Sequence, residues 1–122
     1  MDEYAWRFRP LLIFAPSDDA PDLLWQRAAL GASSDGMLER DIAVIEIVGD
    51  QIETLAGPEC RNAAAELRAR YSTPKETFRV VLVGKDGGVK LREEKPVETN
   101  RLFSLIDSMP MRRQEIVEQS GH

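Results

Sequence analysis

Residues 11–24, LLIFAPSDDAPDLL, decide the fold of this chain. The apolar run 11–15 predicts a strand that is buried on both faces, and Pro16 ends it because proline cannot donate to a strand ladder. The turn that follows opens into a helix at Pro21. In an open α/β sheet, ligands and catalytic groups usually lie at such a strand-to-helix turn. This turn is therefore the first candidate site.

Four polar side chains of the turn are candidate ligand or partner contacts: Ser17, Asp18, Asp19 and Asp22. Asp18 or Asp19 is predicted to cap the helix, and Asp22 suits the positive helix end. A divalent cation needs more oxygen ligands than this turn offers, so no metal site is predicted. Serine catalysis is not expected either, because the single histidine, His122, ends the chain far from Ser17.

The rest of the chain alternates helices and strands. The first helix is predicted to weaken at its glycines and to pack Leu23, Leu24, Arg27, Ala28 and Leu30. A buried strand is expected over 42–48, a helix over 59–71 and a strand over 78–83. GKDGG at 84–88 predicts a hairpin turn to an edge strand over 89–92. Helices are predicted over 98–109 and 111–119.

These elements predict one α/β domain over residues 1–122, in the order β-α-β-α-β-β-α with an extra C-terminal helix. The first two strands are expected to be parallel, because a helix connects them. Tyr4, Trp6 and Phe8 alternate at period two and predict an N-terminal arm or short edge strand. The sequence shows no internal repeat or linker.

Composition excludes several classes of protein. The net charge of −5 argues against nucleic-acid binding, and the longest apolar run is far too short for a membrane span. Charge is uneven, with 12 acidic and 5 basic residues in 1–61. One cysteine permits no intramolecular disulfide. The start MDEYAWRFR lacks the apolar core of a signal peptide. We expect a periplasmic or secreted domain if a leader was removed from the chain, and a cytoplasmic domain otherwise.

Two stretches resemble the peroxiredoxins, which implies a thioredoxin-like fold. FAPSDDAPDL at 14–23 is similar to their active-site loop, in which Phe-x-Pro precedes a threonine and, three residues later, the peroxidatic cysteine. Here Ala20 stands at the threonine position and Leu23 at the cysteine position. RVVLVGKDGGV at 79–89 resembles the strand that carries the active-site arginine, which implies that role for Arg79.

A second resemblance covers nearly the whole chain. RPLLIFAPS, ERDIAVIEI, FRVVLVGKDGGVKLR and LFSLIDSMPMRRQE are similar, in order and spacing, to a peroxiredoxin-like family of unknown function. That family occurs as small bacterial proteins and as modules of secreted sushi-repeat and equarin-type proteins. The resemblance implies an architecture and often export, but it implies no established activity or cofactor.

The residues favour a non-catalytic binding module, because leucine cannot ionise or attack. Its candidate contact surface is the turn with Arg79 and with Arg112 and Arg113 of the MPMRR segment, facing a protein partner or a small anion. One alternative is a thiol-dependent enzyme or sensor using Cys60, placed near the start of the predicted 59–71 helix, where the positive helix end favours a thiolate. Another is a homodimer formed through the hairpin edge or the N-terminal arm.

Overall fold

The two apolar runs form the centre of the sheet. The computed structural model describes residues 4–120, and the side chains of 4–118. β1 (Arg9–Ala15) is buried along its whole length and pairs in parallel with β2 (Ile42–Val48). Apolar side chains on both faces of these strands have to be covered by other elements, as is typical of parallel pairs. The predicted parallel pairing is confirmed.

The connection between these strands is a broken helix, as the glycines predict. α1 (Pro21–Gly31) is followed by α2 (Ser34–Glu39). The predicted packing of Leu24 and Ala28 is wrong, because both are exposed, whereas the polar residue Gln26 between them is buried. Gln26 can be buried because its amide exchanges two hydrogen bonds with the backbone of Val97, at 2.6 and 3.0 Å.

A strand that the sequence did not predict lies on the far side of β2. β3 (Gln51–Ala56) pairs antiparallel with β2 after a tight turn at Gly49, whose φ is +55°. The predicted 59–71 helix is correspondingly shorter, because α3 spans only Ala64–Arg70. Residues 57–63 form a loop instead, and the backbone N–H of Cys60 donates to Thr54 Oγ1 of β3 at 3.0 Å.

The C-terminal half follows the predicted order. β4 (Arg79–Val83) and β5 (Val89–Glu93) form the expected hairpin, in which Gly87 has a φ of +84° and Gly88 donates to Asp86 Oδ1. α4 (Thr99–Asp107) and α5 (Pro110–Ser120) complete the described chain. No helix within residues 4–120 has the length and apolar character to span a membrane.

The five strands form one sheet in the order β3-β2-β1-β4-β5, with helices on both faces. The first face is covered by α1, α2 and α4, whose core residues include Leu23, Leu30, Met37, Leu102 and Ile106. The second face is covered by α3 and by buried residues outside the helices, with a core that includes Tyr4, Cys60, Ala64, Leu67 and Tyr71. Side chains alternate between the two cores along β1, β2 and β4, as the pleat requires.

The N-terminal arm is ordered but is not a strand. Tyr4 is 1% exposed and its hydroxyl donates to the carbonyl of Pro58 at 2.5 Å. Trp6 is 66% exposed, adopts a φ of +67° and donates its backbone N–H to the carbonyl of Lys85. A positive φ is incompatible with a strand, so the period-two pattern of aromatic residues was misleading here.

Candidate functional site

The turn after β1 presents its four polar side chains to solvent. Ser17, Asp18, Asp19 and Asp22 are all exposed, and the Ser17 hydroxyl donates to Asp19 Oδ1 at 2.7 Å. The predicted capping by Asp18 or Asp19 is wrong. Ala20 is the N-cap of α1, and no side chain bonds the helix amides. Pro21 occupies the first helical turn, so one of the four N-terminal amides that would need a partner is absent.

Leu23, at the position of the peroxidatic cysteine in the resemblance, is a core residue. It is 0% exposed and belongs to the apolar cluster beneath α1, whereas Ala20 is half-buried and packs at the edge of that cluster. Neither side chain carries a group that could ionise or hydrogen-bond a substrate. The first turn of α1 therefore contributes packing and one exposed carboxylate, that of Asp22.

Arg79 lies beside the carboxyl end of β1, where it pairs in register with Phe14. Its Nη1 donates to the carbonyl of Ser72 at 2.8 Å and to Thr73 Oγ1 at 3.0 Å, and its Nη2 donates to Glu94 Oε1 at 2.6 Å. Among the described residues no hydrogen bond or ion pair joins Arg79 to the carboxylates of the turn. The structure therefore brings Arg79 close to the turn in the sheet without directing its guanidinium at it.

The two arginines of MPMRR lie elsewhere. They belong to α5, which contacts Arg9 at the start of β1. The turn follows the other end of β1, and the seven residues of this strand put about 20 Å between α5 and the turn. Arg112 is 2% exposed and pairs with Asp107 and Glu39, so its predicted place on a contact surface is wrong. Arg113 is exposed.

Arg112 is one member of what we call the α5 ion-pair network. Four cations and four carboxylates connect α5 to the ends of β1, α2, α4 and β4: Arg9, Arg40, Lys85, Arg112, Glu39, Asp41, Asp107 and Glu115. Glu115 is central, because it lies 2.7 Å from Lys85 Nζ and 3.2 Å from Arg9 Nη2. Burial raises the pKa of Glu115, but the hydrogen bonds from Lys85 and Arg9 outweigh it, so the pKa lies below its ordinary value.

Cys60 does not lie in a helix, contrary to the sequence prediction. It is buried in the loop before α3, and its Sγ contacts Asn62 Oδ1 at 3.7 Å. A helix that begins at Ala64 cannot place its positive end at residue 60 as predicted. Cys60 belongs to the second core, on the opposite face of the sheet from Leu23 and α1. The single thiol and the candidate turn are therefore separated by the sheet.

Two further buried charges, besides Arg9 and Lys85 of the α5 ion-pair network, were not predicted from the sequence. Arg68 lies on the buried face of α3 and donates to backbone carbonyls at the ends of β1 and β2. Arg68 follows Leu67 by one residue and Ala64 by four, so helical spacing places it within the apolar stripe. This spacing could have predicted that Arg68 is buried. Glu46, 1% exposed in the middle of β2, accepts two hydrogen bonds from Arg27 at 2.8 and 3.0 Å. A glutamate inside IAVIEIV indicated that a buried partner was required.

No cluster of three or more potential metal ligands occurs within the described part of the chain. The carboxylates of the acidic turn are exposed, and that of Asp19 accepts a hydrogen bond from Ser17. The geometry thus defines a sheet with helices on both faces, whose strand-to-helix turn carries carboxylates and whose thiol is remote from it.

Comparison with known proteins confirms the class of this domain. The reduced 2-Cys peroxiredoxin of Plasmodium vivax superposes with a TM-score of 0.69 at 13% identity, over 93% of this chain and 84% of that chain. Thioredoxin peroxidase I of Plasmodium yoelii superposes with a TM-score of 0.64 at 14% identity, over 100% and 81%. The fold is therefore thioredoxin-like, as the resemblance implied.

The chain belongs to the family described as "Domain of unknown function (DUF4174)", whose model matches residues 1–115. Similar proteins include the human sushi repeat-containing protein SRPX, 33% identical over 127 residues, and zebrafish coiled-coil domain-containing protein 80, 29% identical over 138 residues. These alignments cover 98% and 99% of this chain but only 27% and 16% of the relatives. The predicted membership of a peroxiredoxin-like family of unknown function is confirmed.

Proposed function

We propose that this chain is a non-catalytic binding module, with residues 1–122 forming one domain. The observation that carries the proposal is the separation of Leu23 from Cys60. The position from which a peroxiredoxin would attack holds a fully buried leucine, and the single thiol lies in the core on the other face of the sheet.

Thiol chemistry at the turn lacks its nucleophile and the hydroxyl that would orient a peroxide, and the nearby guanidinium is already bound. A peroxidatic thiolate is stabilised by a helix N-terminus and a nearby cation, and a hydroxyl orients the peroxide. Leu23 supplies no nucleophile and Ala20 no hydroxyl. The Arg79 guanidinium is occupied by Glu94 and by the 72–73 segment. The scaffold of such a site is retained without its reactive groups.

The exposed turn supports a binding role. Ser17, Asp18 and Asp19 have no capping function in the helix, so the stability of α1 does not account for them, whereas Asp22 lies in the first helical turn near the positive helix end. Three carboxylates attract a positively charged protein partner more readily than a small anion. We place the contact surface at residues 16–22, with Arg79 at its border. Arg113 lies at the other end of the sheet and would belong to a separate contact.

The similar proteins support the same role. In SRPX and in coiled-coil domain-containing protein 80, the region that matches this chain is a minor part of a much longer protein. A domain that recurs inside larger chains of different composition is typical of an interaction module.

The competing function, a redox enzyme or sensor working through Cys60, is tested by the accessibility of the thiol. Native protein is expected to react with 5,5′-dithiobis(2-nitrobenzoic acid) at least about tenfold more slowly than an exposed thiol, because Cys60 is buried and reacts only when its loop opens. The thiol introduced by Val89→Cys in a Cys60→Ser background is the matched control, since Val89 is 47% exposed. Equal rates for the two thiols would contradict the proposal.

A further inference from the structure

A pocket of about 260 Å³ opens beside β3, between that strand and the α1–α2 pair. Its wall is mainly apolar and includes Phe8, Leu30, Met37, Ile42, Val44 and Leu55. Leu38 and Leu55 stand at its mouth and are 78% and 44% exposed. We call this the β3 pocket. Exposed leucines around an apolar cavity indicate a surface that a second molecule covers.

The pocket adjoins an open sheet edge. β3 is the terminal strand of the sheet and has no neighbour on its outer side among residues 4–120. Alternate residues of such a strand direct their backbone N–H and C=O groups outward, where another strand can pair with them. Natural edges are commonly protected by lysine or proline. β3 contains neither, whereas the opposite edge, β5, contains Lys90.

The end of β3 beside the pocket is fixed by Gly57. This residue has a φ of +91°, and a Cβ built on it would lie 2.8 Å from the Cβ of Ala43. Any other residue would therefore push the chain away from β2 at the point where Ala56 and Gly57 line the pocket. Gly57 therefore fixes the backbone at this end of the pocket.

Charge around the pocket selects the partner. Arg27 on the pocket wall is bound by Glu46, and Asp18 and Glu53 also lie close enough for their charge to act on it. Glu53 is the register partner of Glu46 across the β2–β3 pair, so both carboxylates lie on the face of the sheet that Arg27 covers. Asp18 and Glu53 are exposed and form no ion pair at hydrogen-bonding distance among the described residues. Arg7, stacked 5.7 Å from the Phe8 ring centroid, offsets only part of this negative charge.

We propose that β3 binds an extended basic segment of a partner protein as a sixth strand, with one apolar side chain of that segment inserted in the β3 pocket. Main-chain pairing supplies affinity in this mode of recognition, and the pocket supplies specificity. A second copy is disfavoured as the occupant. Pairing of β3 with β3 would bring two copies of the Glu53 carboxylate together, and the Lys90 ammonium of the β5 edge already pairs with Asp86.

The inference rests on the proposed binding role and adds a second contact surface, β3 with its pocket, to the one at residues 16–22. The probe is a fluorescein-labelled peptide, Ac-KVKLKVK-amide, measured by fluorescence anisotropy together with two-dimensional amide NMR. Saturable binding with a Kd below about 1 mM is expected, with shifted amide signals in residues 51–56. Ac-KVKEKVK-amide, which has no central apolar side chain, and the charge-reversed Ac-EVELEVE-amide should each bind at least about fivefold more weakly.

Three variants locate the site. Leu55→Lys should weaken binding of Ac-KVKLKVK-amide at least about fivefold, because it places an ammonium at the mouth of the pocket. Glu53→Lys should weaken it about threefold or more by charge repulsion. Val89→Lys on the opposite edge is the matched control and should leave the Kd unchanged. All three positions are exposed, so the variants should fold, which thermal unfolding would verify.

Several results would overturn the proposal. These are the absence of saturable binding, equal binding of the three peptides, and an effect of Val89→Lys equal to that of Leu55→Lys. Self-association that rises with concentration and disappears in Leu55→Lys would identify a second copy as the occupant and also overturn it. None of these outcomes bears on the accessibility of Cys60, so failure here is distinguishable from the presence of thiol chemistry.

Discussion

Replacing Arg68 with leucine is expected to lower the free energy of unfolding by about 3 kcal/mol or more, because buried backbone carbonyls lose their only charged donor. Arg68 is 7% exposed, and its guanidinium donates to carbonyls from three separate segments. These acceptors are the carbonyls of Ala15, Ile47, Gly49, Thr73 and Pro74, at 3.0 to 3.5 Å. Leucine fills part of the space but satisfies none of them.

Arg68 matters because it joins the carboxyl ends of β1 and β2 to the loop before β4. Burial lowers the pKa of its guanidinium, an effect that the charges of Asp50 and Glu76 partly oppose. An arginine remains charged under such conditions, and its five N–H groups form a rigid fork that one ammonium cannot reproduce. Arg68→Lys is therefore expected to lose stability as well, although less than Arg68→Leu.

Urea denaturation followed by circular dichroism measures both losses. Arg70→Leu is the matched control, since Arg70 lies on the exposed side of the same helix and should change the unfolding free energy by less than about 0.5 kcal/mol. An Arg68→Leu protein as stable as the Arg70→Leu protein would show that these carbonyls are satisfied without the guanidinium.

The second large effect is expected for Glu115→Gln. This change removes the carboxylate that neutralises Arg9 and Lys85, which are 1% and 8% exposed. Removing one partner of a buried ion pair costs about 3 to 5 kcal/mol, and partial exposure of Glu115 reduces the expected loss to about 2 kcal/mol. Urea denaturation measures it, with Glu118→Gln on the exposed part of α5 as the control. Equal stability of the two variants would contradict a central role for Glu115.

The same network predicts how stability depends on pH. The pKa of Asp107 is lowered, mainly by the hydrogen bond from Arg40, and that of Glu115 is lowered too, because its hydrogen bonds outweigh burial. A depressed carboxyl pKa contributes stability that is present above the unfolded-state value, about 4, and is lost as the pH falls through the folded-state value. Urea midpoints should therefore fall below about pH 4. The fall should be smaller in Glu115→Gln, and an identical fall would refute this assignment.

The sheet centre and the hairpin were predictable because local and tertiary preferences agree there. The runs in β1 and β2 are apolar on both faces, and only a central position in the sheet buries both. GKDGG supplies the positive φ that the hairpin needs at Gly87. The element order alone predicts an α/β domain. The resemblance narrows that prediction to the thioredoxin-like class.

β3 was not predictable from its own residues. QIETLA is short and mostly exposed, and its strand conformation comes from pairing with β2, which local propensity does not report. Because β3 was not predicted, Cys60 was assigned to a helix, whereas it lies in the loop that follows β3. Residues 57–63 resemble the start of a helix, but the contact between Cys60 and Thr54 holds them as a loop against β3.

The contacts and the burial of side chains in the candidate site were the hardest features to predict from the sequence. Asp18 and Asp19 have the chemistry of caps, yet the backbone places Ala20 at the cap. Arg112 and Arg113 are adjacent in sequence, and only the helix phase decides that the first is buried in the ion-pair network and the second is exposed. A sequence pattern identifies which residues can bind, whereas the fold decides which of them meet.

The loss of thiol chemistry is tested most directly by the initial rate of hydrogen peroxide consumption in the presence of dithiothreitol. The rate is measured for the wild-type protein, for Cys60→Ser and for buffer alone. With Leu23 at the attacking position and Cys60 buried on the opposite face, we expect the three rates to be equal. A rate that rises in proportion to wild-type protein and is abolished by Cys60→Ser would contradict a non-catalytic domain.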